Sequence, residues 1–403
     1  MGRVVIGLVF HYIWSSKLIL TMLHILIAPN AFKHSLDARR AAEALHKGFS
    51  QSRLDCRTTL FPIGDGGDGT CKLLHEKLAG KLVTITVSGP LGKPVEASFS
   101  LVEDGKTALI EMADASGIRL IKKEEQNPLQ ANSRGTGELI LHALEQYKVE
   151  QIILGMGGSA TVDGGCGMLH ALGVRFFDQR GKELEPIPER LQYVERIDSS
   201  ELNKSVLNSN IKILCDVENL LLGEEGAAHV FGPQKGASPA QVKILDKFLR
   251  QLSDVVLKVT RKNMADVAFG GTAGGAAAGM YALAGAQLVN GIAYFLQKTG
   301  FEEVIKTTDW LITGEGSIDE QTLSGKAPAG VAWLAKQYGI PCIGIAGKVP
   351  LEPSSAILDI FDVLLPINHG NMSLAEALVN TEQNLLRTAQ ALGNVLAYNN
   401  KNN

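Results

Sequence analysis

Leu154-Gly-Met-Gly-Gly-Ser-Ala-Thr-Val-Asp-Gly-Gly-Cys-Gly-Met-Leu-His-Ala-Leu-Gly173 continues the apolar run Gln151-Ile-Ile-Leu154. The run reads as a buried strand. Six glycines then fall between Gly155 and Gly167, with Ser159, Thr161 and Asp163 the only polar side chains among them. Glycine lacks a Cβ, so the backbone can take positive φ and lie against a ligand. Free N–H groups in such a turn, backed by a helix starting at Met168-Leu169, suit anionic oxygens. The stretch reads as a strand–loop–helix unit of an α/β protein. Gly155, Gly157 and Gly158 with Ser159 would cradle a phosphate or oxyanion, and Asp163 would take a proton or hold a metal ion. A tight strand-to-helix link without a ligand is the plainer alternative.

The same grammar recurs along the chain. Strand Leu23–Ala28 runs into Pro29-Asn-Ala-Phe-Lys-His-Ser35, where Ser35 can cap a helix over 36–49 and Lys33 sits on the ligand side of an open sheet. A solvated loop lysine is an equal reading of Lys33. Strand Thr58–Pro62 delivers Ile63-Gly-Asp-Gly-Gly-Asp-Gly-Thr70, whose Asp65 and Asp68 suit a metal or a hydroxyl. Asp65-Gly-Gly-x-Gly69 echoes Asp163-Gly-Gly-x-Gly167 and is read as convergent chemistry. Strand Ile211–Cys215 ends at Asp216, and Asp309–Thr313 ends at Gly314-Glu-Gly-Ser-Ile-Asp319, followed by Ser324-Gly-Lys326. Lys235, in Phe231-Gly-Pro-Gln-Lys-Gly236, is a candidate phosphate partner. Arg134, at a helix start, could clamp a carboxylate, with a surface arginine as the alternative.

Between residues 81 and 112 strands follow one another without helices, including a hairpin around Glu103-Asp-Gly105. Strand–helix alternation returns near the C-terminus, where Ser373 and Glu376 form a capping box for a final helix. The expected fold is therefore two α/β units. Residues 22–80 plus 267–398 form a discontinuous, three-layer parallel-sheet unit of Rossmann or flavodoxin type, with 81–266 inserted as a mixed-sheet unit. Met22 reads as the natural start and residues 1–21 as an upstream extension, since the apolar part is too short to span a membrane and has no cleavage site.

The 403 residues carry 39 Lys+Arg against 42 Asp+Glu, a net charge of −3, without a long basic run, which argues against nucleic acid as partner. Five scattered cysteines with no C-x-x-C pair suggest a reducing compartment and give no zinc signature. The chain reads as cytoplasmic and not membrane-bound, and a homo-oligomer stays open.

Walker A, nucleophile-elbow, H-E-x-x-H and protein-kinase motifs are all missing from the sequence. Gly155-x-Gly157-x-x-Ala160, with Asp178 about 20 residues on, fits a loose dinucleotide fingerprint, so an NAD-dependent dehydrogenase of a small hydroxy acid is the alternative. It leaves four acid–glycine loops unexplained. Phosphoryl transfer accounts for them: glycine amides and lysines hold phosphates, carboxylates hold Mg²⁺, and one acid orients the attacking hydroxyl. A non-catalytic small-anion sensor is the third class in view.

Several motifs together resemble the bacterial type I glycerate kinase (glycerate 2-kinase) family. They are Gly155-Met-Gly-Gly-Ser-Ala-Thr-Val-Asp163, Cys215-Asp-Val-Glu-Asn219 with Phe231–Gly236, and Ile312-Thr-Gly-Glu-Gly-Ser-Ile-Asp319 through Lys326-Ala-Pro328. Ile27-Ala-Pro-Asn-Ala-Phe-Lys33 and Asp65–Thr70 match as well. The resemblance runs from Met22 to about Leu396. It implies phosphorylation of D-glycerate, usually at the 2-hydroxyl, with ATP and Mg²⁺ as cofactors. The chain departs from the family where Asn30-Ala31 replaces Asp-Ser, Val162 replaces Asn and Ser317 replaces Arg. The expected roles are then Asp163 as base, assisted by Lys33 and Lys326. Arg134, Ser159, Asp65 and Lys235 would bind substrate. Gly155, Gly157, Gly158, Gly314 and Glu315 would hold nucleotide phosphates, and Asp216, Asp319 and Asp68 the metal.

Overall fold

Strands β1 (Leu23–Pro29) and β2 (Cys56–Leu60) open the chain. They are followed by β3 (Lys81–Ser88), β4 (Pro94–Val102), β5 (Thr107–Glu111), β6 (Gln151–Gly155), β7 (Arg175–Phe177), β8 (Arg196–Asp198), β9 (Asn210–Cys215) and β10 (Gln287–Asn290). β11 (Trp310–Ser317), β12 (Cys342–Lys348) and β13 (Val363–Pro366) complete the set. The computed structural model describes residues 22–323, 325–368 and 372–400; the expected extension 1–21 and Ser324 lie outside them.

The first sheet has the order β2-β1-β11-β12-β13, every pair parallel. β1 is apolar at nearly every position because both of its faces are covered. Ile25 and Ile27 pack with Leu45, Phe49 and Leu385 from helices Ala38–Ser50 and Thr381–Asn400. Leu26 and Ala28 face Phe295 and Val331 on the other side. This is the expected three-layer arrangement. In a doubly wound sheet of this order the ligand crevice opens where the winding reverses, here between β1 and β11.

The second sheet, β3-β4-β5-β6-β9-β10, is mixed: β3, β4 and β5 run antiparallel, and β5, β6, β9 and β10 run parallel. The hairpin between β4 and β5 turns at Glu103, Asp104 and Gly105, all at positive φ. One face packs on helix Arg134–Gln146 through Leu139, Ile140 and Ala143. The other contributes Leu109, Ile153 and Leu214 to the cluster that holds Leu26 and Leu311 of the first sheet. Burial shared by both sheets sets their strand ends against one another.

Three local expectations change. Asp37, not Ser35, caps the first helix, accepting from the Arg40 N–H at 2.8 Å. Ser35 precedes it because a Phe32–Leu36 bridge closes the intervening turn. The Ser373–Glu376 capping box starts the short helix Leu374–Val379, and the last helix begins anew at Thr381. β10 hydrogen-bonds to β9 in the second sheet, although it lies beyond the expected return at residue 267. Ser238 caps the helix Pro239–Thr260, with a full capping box to Gln241.

Candidate active site

The loop 64–69 after β2 is the hub on which the strand ends meet. Its Gly66 carbonyl accepts from Met156 N–H (3.1 Å) and Gly157 N–H (3.2 Å) after β6. A Cβ on Gly66 would stand 2.7 Å from the Leu214 carbonyl of β9, and one on Gly291 would stand 1.9 Å from the Asp65 carbonyl. Only glycine allows these backbones to approach so closely. The loops that look like ligand cradles in the sequence are thus partly needed to let two sheets share one site.

Three carboxylates gather there. Asp65 accepts from Asn30 Nδ2 (2.8 Å) and from its own Gly67 N–H (3.1 Å). A Cβ on Gly67 would lie 2.9 Å from Asp65 Oδ1 and 3.4 Å from Asp216 Oδ2, so the two acids flank one narrow gap. Burial and then repulsion from Asp65 push Asp216 up to about 6, against the pull of Lys33 and Lys326. Glu315, on the last turns of β11 beside the crevice, is pushed up to about 7 by burial, opposed by Lys326 and reinforced by Asp65. Its Oε1 accepts from the Thr322 hydroxyl at 3.0 Å. Two lysines from separate loops of the sequence therefore act on Asp216, and Lys326 acts on Glu315 as well.

Asp163 is elsewhere. It is fully buried and accepts four hydrogen bonds: Ser133 N–H (2.8 Å) and Oγ (2.7 Å), Gly165 N–H (3.1 Å) and Gly167 N–H (3.1 Å). A carboxylate so occupied, with no exposed surface, cannot meet a substrate hydroxyl. Its expected role as base is corrected to that of a clamp on the glycine loop. Asp65 makes the same turn to the N–H two residues on, but its loop opens where Asp163's is covered by Gly274 and Gly275. The sequence echo is real and the two environments differ.

Other assignments shift too. Arg134 donates from Nε to Glu138 one helical turn on (2.9 Å), an exposed pair on the surface of helix Arg134–Gln146. Gly314 pairs with Pro29 and Ile345 inside the sheet, and a Cβ there would lie 1.8 Å from the Ile345 carbonyl. It is required by strand packing and not by a phosphate. Asp68 is held by both its oxygens on Arg119 (2.8 and 3.0 Å), whose other nitrogen contacts Asp114. Asp319 closes its own turn with Ser317 and the Gln321 N–H. Among the described residues no three His, Cys, Asp or Glu side chains form a metal cage, so Asp216, Asp319 and Asp68 are not one ligand set.

Gly157 and Gly158 do line the hub. A Cβ on Gly157 would strike Asp68 N at 2.0 Å, and Gly158 has φ +69° beside Asp68 Oδ2. Gly155 sits against the Glu111 carboxyl and Cys71 thiol, deep behind the loop. Ser159 and Lys235 are buried together, Lys235 Nζ donating to Ser159 Oγ at 2.8 Å. The dinucleotide reading fails on geometry: the helix after β6 starts only at Cys166, and Asp178 caps its own turn through Arg180 and Lys182 N–H.

Two participants were missed. Glu111, buried at the end of β5, accepts from the Cys71 N–H (3.0 Å) at the start of helix Thr70–Lys77 and is pushed well up, by burial first. An acid ending the apolar run Ala108-Leu-Ile-Glu111 was the available signal. Arg119 had none, because only the folded chain sets it against Asp68.

The model of the Glycerate kinase family matches residues 25–397. A protein called glycerate kinase from Halalkalibacterium halodurans is 42% identical over 93% of this chain and 98% of its own length. One called glycerate 2-kinase from Escherichia coli K12 is 41% identical over 94% and 99%. A solved structure from Salmonella typhimurium LT2, provisionally assigned as glycerate kinase 2, is 40% identical. It superposes with a TM-score of 0.77 and covers 94% of this chain and 100% of that one. No helix among the described residues is long and apolar enough to cross a membrane.

Proposed function

The chain belongs to the glycerate kinase family and is a kinase, and from that premise we propose that it transfers the terminal phosphoryl group of ATP to the 2-hydroxyl of D-glycerate. The observation that carries the reading is the meeting of Asp65, Asp216 and Glu315 with Lys33 and Lys326 at the crevice between β1 and β11. The name of the Escherichia coli relative supports the 2-position. Glu315, poised near neutrality, is the general base that receives the hydroxyl proton. Lys33 and Lys326 neutralise the phosphoryl oxygens.

Mg²⁺ fits the donor set. Two facing carboxylates, Asp65 and Asp216, with Asp216 destabilised by its neighbour, suit a hard cation that takes its remaining ligands from phosphates and water. A bound Mg²⁺ would supply charge neutralisation between nucleotide and acids. We further propose that the chain divides into an inserted unit beginning near 81 and a discontinuous unit to which it returns after Asn290, since β10 belongs to the second sheet.

The test is a coupled ADP-release assay with D-glycerate, with and without Mg²⁺, followed by phosphorus NMR of the product. Metal-dependent ADP release and a 2-phosphate signal are expected. No glycerate-dependent release would sink the reading, and a 3-phosphate would overturn the regiochemistry alone.

A further inference from the structure

Lys235 is a cation with almost no contact with solvent, 5% exposed, on the turn Pro233–Lys235. Its Nζ donates to Ser159 Oγ (2.8 Å) and to the Thr161 carbonyl (2.7 Å). Both acceptors lie in the glycine loop after β6, between the hub and the clamp made by Asp163. On the outer side of that loop the N–H groups of Gly158 and Ser159 donate to no backbone carbonyl among the described residues, while the Gly158 carbonyl accepts from Ile118. The Thr161 hydroxyl is buried without a partner. A loop with two unspent amides is therefore tied from behind by one buried ammonium.

Resting on the kinase reading above, we propose that Lys235 is a positioning residue of the reaction. Through Ser159 and Thr161 it holds the Gly158–Ser159 amides toward the anionic end of the acceptor, and its charge forms part of that anion seat. The residue is neither a generic core lysine nor an open phosphate contact. A core lysine would have no reason to take both its bonds from the one glycine loop. An open contact would be solvent-accessible. The charged groups facing Lys235 are Asp163 and Asp216, which favour its ammonium form. Burial is the larger influence and brings Lys235 down to about 7. The charge is consequently lost as pH rises through neutrality, giving kcat/KM an alkaline limb there.

The experiment compares glycerate-dependent ADP release and thermal unfolding for wild type, Lys235→Met, Lys235→Arg and Ser159→Ala across the neutral range. Lys235→Met is expected to lower kcat about 100-fold, the scale of a loop displaced by about 1 Å, and to lose the alkaline limb. Lys235→Arg, charged at every working pH, should recover part of kcat and move the limb upward. Ser159→Ala, which spares the lysine, should lower kcat about tenfold and keep the limb. A Lys235→Met enzyme with unchanged kcat, or one retaining the limb, overturns the proposal. If Lys235→Met does not fold, an Arg variant whose limb has not moved does the same. Failure of the wild type itself to release ADP with glycerate would instead refute the kinase reading.

Discussion

The exchange Glu315→Gln keeps the side-chain volume and the Oε1 acceptor of the Thr322 hydroxyl while removing the carboxyl charge. In the folded chain this acid is pushed from 4.5 up to about 7, chiefly by burial. It therefore holds a proton between those values while the unfolded chain has released it. Stability conferred by the protonated form is complete below 4.5 and is lost as pH rises through that window. The distance from 4.5 to about 7 corresponds to about 3 kcal/mol, at about 1.4 kcal/mol per unit. Glutamine carries no such penalty. The variant should thus be more stable than wild type by up to about 3 kcal/mol at pH 8 and equal to it below pH 4. Loss of a general base should at the same time lower kcat by about 10²- to 10⁴-fold. The assays are urea unfolding at both pH values and coupled ADP release. A variant that is less stable at pH 8, or that retains activity within a few-fold, would refute both the burial argument and the role. In wild type, kcat/KM should climb toward about pH 7 as Glu315 is freed and fall beyond it as Lys235 loses its proton, a bell centred near neutrality.

Asp163→Asn should lose stability by about 2–4 kcal/mol together with activity, because four donors converge on that carboxylate; retained stability with lost turnover would restore Asp163 as base. Asp216→Asn should raise the Mg²⁺ concentration for half-maximal rate about tenfold or more, read in a metal titration, and an unchanged midpoint would remove it from the cation site. Gly314→Ala places a methyl 1.8 Å from the Ile345 carbonyl, so unfolding should be easier by about 3 kcal/mol or more, measured by denaturant titration. A neutral outcome would show that the sheet yields at this point.

Much of this protein is legible without coordinates. The doubly buried strands Leu23–Ala28, Ile211–Cys215 and Cys342–Ala346 announce themselves as apolar runs because parallel strands with both faces covered admit no polar alternation. The Ser238 capping box and the Glu103–Gly105 hairpin are local, so adjacent residues suffice to specify them. Family membership followed from motifs whose residue types and spacing survive without tertiary knowledge.

Which acid does what was decided by tertiary structure. Asp65 and Asp163 carry near-identical local sequences and make the same turn, yet one borders the crevice and the other is sealed beneath Gly274 and Gly275. Glu315 and Asp216, 99 positions apart in the numbering, both feel Lys326 and Asp65 because β9 and β11 end beside one loop. A carboxylate's chemistry depends on its desolvation and on charges within a few ångströms. Those quantities belong to the packed chain, whereas strand, cap and turn belong to neighbours in sequence.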